Sequence, residues 1–316
     1  MSKFMNRIFA IIVTYNGMQW IERCLSSLRH SSVPVTAIVI DNGSTDGTID
    51  YIRTHFPEAI LLPQDKNLGF GQANNIGFDY ALAHDATHVL LLNQDAYLQP
   101  ETIATLLTCD DGEHLLTPIH LNGTGEHIDS LFYNRTILES AKNNGIAEDA
   151  LLHGQTKSSY EVEYANAACW FMPIAIIQRI GGFDPRFTQY GEDDNYIQRL
   201  HFHHIGIRLV PTAFIYHDRK THGNEAVYQR GALYRKLLLI ETNINLSRSQ
   251  RCIQRTKTTV QEFGAALLAH RACRFFGEWI CAQWKLTFRC EDSVHPAAYM
   301  TTSPAHKRRF CSSVIR

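Results

Sequence analysis

Four short apolar runs alternate with helical segments through the first hundred residues, and this alternation constrains the fold more than any other feature. The runs cover residues 8–13, 35–40, 59–62 and 89–92. Apolar runs of this length, bounded by turn-forming residues, are typical of strands that are buried on both faces. The segments between them have helical periodicity, so the pattern predicts a parallel, doubly wound α/β sheet with right-handed crossovers.

Polar residues follow three of the predicted strands where each strand ends. They are Thr14, Tyr15 and Asn16 after the first strand, Asp41 and Asn42 after the second, and Asn93, Gln94 and Asp95 after the fourth. Asn and Asp are ordinary turn formers, so any one group could be a surface turn. Ligands of open α/β sheets, however, bind beyond the carboxyl ends of the strands, and the three groups together predict one binding crevice.

Two acidic features are suited to group transfer from a nucleoside diphosphate. An enzyme that expels this leaving group needs a divalent cation on its oxygens, often held by only one or two protein carboxylates. Asp95, at a strand end, meets that need. Glu192, Asp193 and Asp194 stand in succession at the start of a predicted helix, where acids commonly complement the helix dipole. Repulsion between such neighbours can also tune one of them as a general base.

Other functions are disfavoured by the motifs that the sequence lacks. The first strand is followed by TYNGMQW rather than G-x-G-x-x-G, which argues against a nicotinamide or flavin enzyme. No G-x-x-x-x-G-K-[ST] phosphate loop occurs. His201 and His204 lie three residues apart on a predicted helix, but no cysteine or acidic pair nearby completes a tetrahedral zinc site.

The chain resembles the inverting glycosyltransferases of family 2, which have the GT-A fold. The resemblance covers residues 8–217 and rests on segments that occur in the family's order: IIVTYNG, VIDNGSTDGT, NLGFGQANNIG, LLLNQDAYLQP, GGFDPRFTQYGEDDNYIQR and YHD. Each segment alone is weak evidence for the family, whereas the six segments in this order are specific for it. The second and third look most similar to the rhamnosyltransferase-type branch that builds bacterial surface polysaccharides. The resemblance implies a Rossmann-like, mostly parallel sheet flanked by helices, with a C-terminal helical extension.

The resemblance also implies roles for the matching residues. A nucleotide pocket would be formed by Thr14, Tyr15, Asn16, Asp41, Asn42, Asn67, Gly69, Asn74 and Asn93. Asp41 would bond to the pyrimidine ring, while Asp95, which ends the family's D-x-D element, and His217 would hold Mg²⁺ or Mn²⁺. Asp193 would be the general base, assisted or oriented by Glu192. Trp170 would lie near the acceptor, although a core tryptophan is an equal alternative.

Two positions depart from the family pattern. Asn93 stands where the family often has the first Asp of D-x-D, which leaves fewer charges for the metal. The family's E-D-x-D element reads Glu192, Asp193, Asp194, Asn195, so its last acid is replaced and an extra acid follows Asp193. The base could therefore be Asp194 instead of Asp193.

The predicted reaction is a single displacement on a UDP- or dTDP-sugar by a hydroxyl group of the acceptor. One base without a covalent nucleophile implies inversion, as in inverting glycosidases. The sugar would be a hexose such as rhamnose, and the acceptor a glycan or lipid-linked saccharide of O-antigen or capsule synthesis. A catalytically degenerate nucleotide-sugar-binding protein is the alternative that Asn93 and Asn195 favour. A nucleotidyltransferase is disfavoured because the chain lacks the basic, Gly-rich loop expected for a triphosphate.

Charge and periodicity divide the chain into three predicted parts. These are a nucleotide-sugar-binding half at 1–110, an acceptor-binding and catalytic half at 111–223, and a basic helical region at 224–316. Within the second part, residues 113–159 are irregular and polar, which predicts long loops and short strands. Residues 220–316 carry 16 Lys and Arg against 6 Asp and Glu, although the whole chain has a formal charge of −1. The acidic remainder disfavours general binding of nucleic acid.

The third part has two alternative roles. Basic and aromatic residues are mixed at 271–289, as in an interfacial helix that contacts an anionic membrane. The same segment could instead pack on the core or form a dimer contact. No run approaches the roughly 18 apolar residues that cross a bilayer, and the eight cysteines contain no C-x-x-C pair. We therefore expect reduced thiols in a cytoplasmic protein that could attach peripherally to the plasma membrane.

Overall fold

The computed structural model describes residues 6–140, 144–219, 231–268 and 271–288, which contain the nine strands and eleven α-helices named here. The strands are β1 (Ile8–Thr14), β2 (Thr36–Asp41), β3 (Ile60–Pro63), β4 (His88–Leu92), β5 (Ala96–Leu98), β6 (Leu115–Asn122), β7 (Tyr160–Val162), β8 (Cys169–Pro173) and β9 (Ile207–His217). The helices are α1 (Ile21–Arg29), α2 (Thr48–His55), α3 (Phe70–Ala83), α4 (Thr102–Cys109), α5 (Ser130–Phe132), α6 (Ile146–Glu148), α7 (Ile174–Ile180), α8 (Glu192–Phe202), α9 (Ala232–Glu241), α10 (Arg248–Leu268) and α11 (Ala272–Phe288). Two π-helices, Tyr133–Ser140 and Asp149–His153, directly follow α5 and α6.

The strands form one mixed sheet in the order β3-β2-β1-β4-β8-β6-β9-β5, with β7 paired to β9. The four strands β3, β2, β1 and β4 are parallel to one another, and so are β6 and β9. The β8 strand runs antiparallel between β4 and β6. The predicted mostly parallel sheet with flanking helices and further C-terminal helices is confirmed.

The packing of β1 explains why the predicted strands are apolar at every position. Phe9 and Ile11 belong to one buried cluster, together with Phe78 of α3. Ile12 belongs to a second cluster on the opposite face, together with Leu25 of α1. Because successive side chains of a strand point to opposite faces, a strand covered by helices on both sides requires apolar residues throughout.

The expectation of loops and short strands at residues 113–159 is wrong for its first part. The eight residues of β6 pair with β8 on one side and β9 on the other, so they lie in the interior of the sheet. The strand contains Thr117 and His120, which are fully buried. These polar residues interrupt the apolar run by which a buried strand is usually recognised.

The C-terminal helices pack against the body of the protein through a third buried cluster. Phe187 joins Leu237 and Leu238 of α9 in this cluster, along with Phe275 and Leu286 of α11. The boundary predicted near residue 224 lies outside the described residues, and the three-part division stays a prediction. None of the described helices is both long enough and apolar enough to cross a bilayer.

Candidate active site

The loops that follow β1 and β4 are joined by the side chain of Gln94. Its Oε1 accepts hydrogen bonds from the Thr14 hydroxyl at 2.7 Å and from the Tyr15 backbone N–H at 3.0 Å. Because β1 and β4 are neighbouring parallel strands, their carboxyl ends meet at the same edge of the sheet. Gln94, one of the polar residues from which the crevice was predicted, thus fixes the loop that carries Asn93 and Asp95.

Asp41 has one satisfied and one unsatisfied carboxylate oxygen. The residue is fully buried, and its Oδ1 accepts from the backbone N–H groups of Gly43 and Ser44 at 3.0 and 2.8 Å. Its Oδ2 is buried without a hydrogen-bond partner among the described residues. An unpaired buried acceptor is costly, so Oδ2 is ready to accept from a ligand donor such as the N3–H of a pyrimidine.

Asn16, Asn42 and Asn67 shape the loops at this edge through bonds to the backbone. Asn16 has a left-handed conformation (φ 49°), and its Oδ1 accepts from the N–H of Thr45 at 2.9 Å. Asn42 Nδ2 donates to the Gly69 carbonyl at 3.3 Å, and Asn67 Oδ1 accepts from the Gly69 N–H at 2.8 Å. The three side chains therefore order the loops at this edge of the sheet.

Gly69 is required where the loop before α3 meets the loop before α8. Its φ of +84° is left-handed, and a Cβ at this position would lie 2.1 Å from the carbonyl oxygen of Thr188. Only a residue without a side chain permits this approach. The glycine-rich segment predicted to face the nucleotide is therefore also in direct contact with the segment that leads to the acidic residues.

Two of the predicted site residues lie in the core. Asn74 is 1% exposed, and its Nδ2 donates to the Phe70 carbonyl within α3. Trp170 is fully buried on β8, its Nε1 donates to the Ala165 carbonyl at 3.2 Å, and its ring packs on Phe183. The prediction that Trp170 faces the acceptor is corrected, because its indole has no exposed face on which a sugar could stack.

Asp95 and His217 lie together because β5 pairs with the end of β9. The register places Ala96 opposite His217, and Asp95 Oδ1 lies 3.4 Å from His217 Nε2. Burial opposes ionisation of Asp95, but the hydrogen bond and charge of His217, with the charge of Arg219, hold the pKa of this carboxyl below its ordinary value. Asn93 Oδ1 is buried and has no hydrogen-bond partner in the described parts of the chain.

The Asp95 and His217 pair has the chemistry of a partial site for a divalent ion. The two atoms are spaced like adjacent ligands in one coordination shell, and one carboxylate with one imidazole suits a metal that also binds phosphate oxygens. Among the described residues, no three or more His, Cys, Asp or Glu side chains form a metal site. His201 Nε2 lies 3.7 Å from Glu163 Oε2 at the surface.

The three acids occupy the first turn of α8, after a tight turn in the backbone. Tyr190 and Gly191 both have positive φ angles, 64° and 89°, and they direct the chain into the helix. Asp193 Oδ2 accepts from the Tyr164 hydroxyl at 2.8 Å, while its Oδ1 accepts from the N–H of Asp194 at 2.9 Å. The structure thus brings the acidic residues together with Tyr164, a residue that no sequence motif singles out.

Burial makes Glu192 and Asp193 harder to ionise than ordinary carboxylic acids. Burial, followed by the charge of Asp194, raises the pKa of Asp193 above its ordinary value of 3.8. Burial and the charge of Asp193 also raise the pKa of Glu192. Asp194 differs in that its Oδ1 forms a 2.7 Å ion pair with Arg135. A carboxylate with a raised pKa is a better general base near neutral pH.

Similarity to known proteins identifies this chain as a glycosyltransferase with the GT-A fold. Residues 9–112 match the model of the family described as Glycosyl transferase family 2. Over these residues, the resemblance to family 2 found in the motifs is confirmed.

Two relatives share similarity that extends beyond the family model. An N-acetylglucosaminyl-diphospho-decaprenol L-rhamnosyltransferase of Mycobacterium tuberculosis is 27% identical over 238 residues, which cover 66% of this chain and 75% of the relative. A dTDP-rhamnosyl transferase, RfbF, of Shigella flexneri is 23% identical over 217 residues, or 67% of this chain and 69% of the relative. Together with the family domain, these relatives support the glycosyltransferase class.

Solved structures with similar folds support the GT-A assignment. Staphylococcus aureus TarS 1-349 in complex with UDP-GlcNAc has a TM-score of 0.59 at 16% identity, covering 87% of this chain and 79% of that one. Mannosyltransferase PcManGT from Pyrobaculum calidifontis, in complex with GDP-Man and Mn2+, has a TM-score of 0.55 at 17% identity. That match covers 91% of this chain and 88% of PcManGT, so the fold is shared over most of both proteins.

Proposed function

We propose that this glycosyltransferase moves a hexose, with rhamnose as the first candidate, from a UDP- or dTDP-sugar to an acceptor hydroxyl with inversion. The observation that carries the proposal is the half-buried Asp193 on the first turn of α8, whose carboxyl pKa is raised by desolvation and by the charge of Asp194. Such a carboxylate suits deprotonation of a sugar hydroxyl at neutral pH. The rhamnosyl specificity rests on the names of the two relatives.

The proposed reaction is one displacement with one base. Asp193 takes the proton of the acceptor hydroxyl as its oxygen forms a bond to the anomeric carbon, while the bond from that carbon to the nucleoside diphosphate breaks. Glu192 assists or orients Asp193, because it neighbours the base and is itself buried. Attack from the face opposite the leaving group, without a covalent intermediate, inverts the anomeric centre.

Asp95 and His217 would hold Mg²⁺ or Mn²⁺ at the diphosphate. When bound, such a cation neutralises the charge that develops on the leaving group. Two protein ligands leave coordination positions for phosphate oxygens, which is usual for these ions in nucleotide sites. The solved neighbours GalNAc-T7 and PcManGT were crystallised with Mn2+.

The pyrimidine preference is supported by Asp41. Its orphaned Oδ2 could accept the N3–H that uracil and thymine both carry. Thr14, Tyr15, Asn16, Asn42, Asn67, Gly69, Asn74 and Asn93 would complete or support the nucleotide pocket. Since Asn74 is buried and bonded within α3, its contribution would be to hold this helix in place.

The acceptor is proposed to be a glycan or lipid-linked saccharide in the synthesis of bacterial surface polysaccharide, at the cytoplasmic face of the membrane. The decaprenol-linked substrate in the name of the mycobacterial relative supports a lipid carrier. An anionic membrane surface would be contacted by the outer faces of α10 and α11, which expose Ile253, Val260, Leu267, Phe276 and Ile280. Basic residues at 248, 251 and 257 make the same region attractive to anionic lipids.

Donor consumption tests the proposed function directly. The full chain would be incubated with a panel of UDP-, dTDP- and GDP-sugars, with Mn²⁺ or with EDTA, and free nucleoside diphosphate would be measured. We expect metal-dependent release from a UDP- or dTDP-sugar, and a transferred product whose anomeric configuration, read by NMR coupling constants, is inverted. Thermal stabilisation by a nucleotide-sugar, without turnover of any donor, would instead identify the degenerate binding protein.

A further inference from the structure

Arg135 and Tyr164 connect the two aspartates of α8 through a chain of short contacts. Arg135 Nη2 donates to Asp194 Oδ1 at 2.7 Å, and its Nη1 donates to the Tyr164 hydroxyl oxygen at 2.7 Å. The same hydroxyl donates to Asp193 Oδ2 at 2.8 Å. The guanidinium carbon of Arg135 also lies 3.7 Å from the centre of the Tyr164 ring. We call these two residues, Arg135 and Tyr164, the brace.

The brace is held by elements outside α8. Arg135 lies on the π-helix Tyr133–Ser140, and Tyr164 lies in the loop between β7 and β8. Ser140 joins the two elements, because its Oγ accepts from the Tyr164 N–H at 2.6 Å and donates to the Tyr164 carbonyl at 3.2 Å. The brace therefore has its orientation before any substrate arrives.

Arg135 and Tyr164 make different contacts with the two aspartates. The Asp194 carboxylate is in direct contact with a fixed cation, so accepting a proton there would break the ion pair with Arg135. Asp193 accepts two hydrogen bonds, from Tyr164 and from the Asp194 N–H. A carboxylate has about four lone-pair positions, so Asp193 keeps two for an incoming hydroxyl.

We propose that Arg135 and Tyr164 are positioning residues that select Asp193 over Asp194 as the base and fix the direction of its carboxylate. The proposal rests on the proposed function, in which an acid of α8 is the general base. Arg135 acts through Asp194 and Tyr164, and Tyr164 acts through Asp193. This arrangement accounts for the extra acid at position 194, because Asp194 gives Arg135 an anchor on α8.

The charges around Asp193 predict how the brace affects the pH profile. On its own helix, Asp193 has two charged neighbours, Glu192 and Asp194. From the brace, Tyr164 donates a hydrogen bond to Asp193 and Arg135 contributes a positive charge. The charge of Arg235 on α9 acts on Glu192. The Tyr164 hydrogen bond and the Arg135 charge both oppose the rise in the pKa of Asp193 caused by burial. Loss of either should raise that pKa further.

Three variants of the 316-residue chain test the brace by its kinetics. In Tyr164→Phe and Arg135→Met, kcat should fall about tenfold to a hundredfold, because the base is misdirected. The KM for the donor should stay within about twofold, and the acid limb of kcat/KM should move to higher pH. Arg135→Lys keeps the positive charge but lacks the planar guanidinium that donates to two partners. Its acid limb of kcat/KM should therefore lie close to the wild-type position, while its kcat stays reduced.

A merely structural brace would give a different set of results. Lowered thermal stability with an unmoved acid limb and unchanged kcat in Tyr164→Phe, together with unchanged kcat in Arg135→Lys, would overturn the proposal. If Arg135→Met does not fold, judged by circular dichroism and nucleotide binding, the other two variants decide. Asp193→Asn separates the two proposals: if that variant stays active, the base assignment fails; if it is inactive while the brace variants behave like wild type, only the brace fails.

Discussion

The side-chain amide of Asn195 donates a 3.1 Å hydrogen bond to the hydroxyl of Thr242, which in turn donates to the Leu238 carbonyl at 2.8 Å. Asn195 lies on α8 and Thr242 caps the end of α9, so the helix that carries the proposed base is tied to the C-terminal region. Both residues are buried. The asparagine that replaces the last acid of the family motif therefore has a structural role here.

Removing the Thr242 hydroxyl should destabilise the protein. In Thr242→Val, the buried Nδ2 group of Asn195 loses its partner, and we expect the free energy of unfolding to fall by about 1–3 kcal/mol. Urea denaturation followed by circular dichroism would measure this change. Thr242→Ser keeps the hydroxyl and is the matched control. Equal stability of the valine and serine variants would mean that the bond contributes nothing.

Asp193→Asn should abolish most of the activity while sparing the donor site. A general base contributes about 10²–10⁴-fold, and we expect a loss in this range for sugar transfer. The affinity for the nucleotide, measured by calorimetry, should hardly change, because the loss concerns the acceptor proton. Asp194→Asn is the matched substitution next door, and its loss should be smaller. The reverse order of the two losses would move the base to Asp194.

The pH dependence should have its acid limb well above the ordinary pKa of an aspartate. Burial and the Asp194 charge raise the pKa of Asp193, and only its ionised form can accept the acceptor proton. The rate constant kcat/KM should therefore rise with pH as Asp193 loses its proton and level off above its raised pKa. A profile recorded from pH 4 to 9 at saturating metal would check this. A limb near 3.8 would show that the rate-controlling base is an unperturbed carboxylate.

Asn93→Asp tests the missing charge of the D-x-D element. A second carboxylate two positions before Asp95 should tighten the binding of Mn²⁺ by about tenfold if residue 93 contacts the ion. The metal concentration that gives half-maximal donor turnover would measure the effect. Asp95→Asn should shift that concentration in the opposite direction. If only the affinity for the nucleotide changes in Asn93→Asp, the residue belongs to the nucleotide pocket.

The sequence predicts the first half of the sheet because its strands are continuous apolar runs at parallel positions. The rule that ligands bind beyond the carboxyl ends of parallel strands then brings Asp41 and Asp95 to one edge. His217 is the last residue of β9, and its place next to Asp95 depends on the antiparallel pairing of β5 with β9. That pairing joins segments far apart in the sequence, so only the family resemblance predicted that Asp95 and His217 lie together.

The residues that the sequence missed act through contacts between distant segments. Tyr164 reaches Asp193 across 29 positions of sequence, and Arg135 reaches Asp194 across 59. Neither stands in a segment with a periodic or turn pattern, since Arg135 is on a π-helix, a form that sequence periodicity does not predict. For Trp170, the sequence suggested a functional role that the structure does not support. The identity of an aromatic residue does not show whether its ring faces a sugar or the core.

The membrane proposal predicts that binding depends on the outer face of α10. Ile253, Val260 and Leu267 recur at intervals of seven, so they share one face of the helix, and each is at least half exposed. The combined change of all three to Asn should weaken cosedimentation with vesicles that contain anionic phospholipid, because the apolar contribution to interfacial binding is lost. Purely zwitterionic vesicles should bind little of the wild-type protein.

The π-helix at Asp149–His153 offers a matched control for this test. Leu151 and Leu152 are 84% and 75% exposed, and changing both to Asn removes apolar surface from an element other than α10. This control should bind anionic vesicles like the wild type, and added salt should release both proteins because basic residues take part. Unchanged sedimentation of the α10 variant, with a fall in mass from dimer to monomer by light scattering, would instead assign this face to a second copy of the chain.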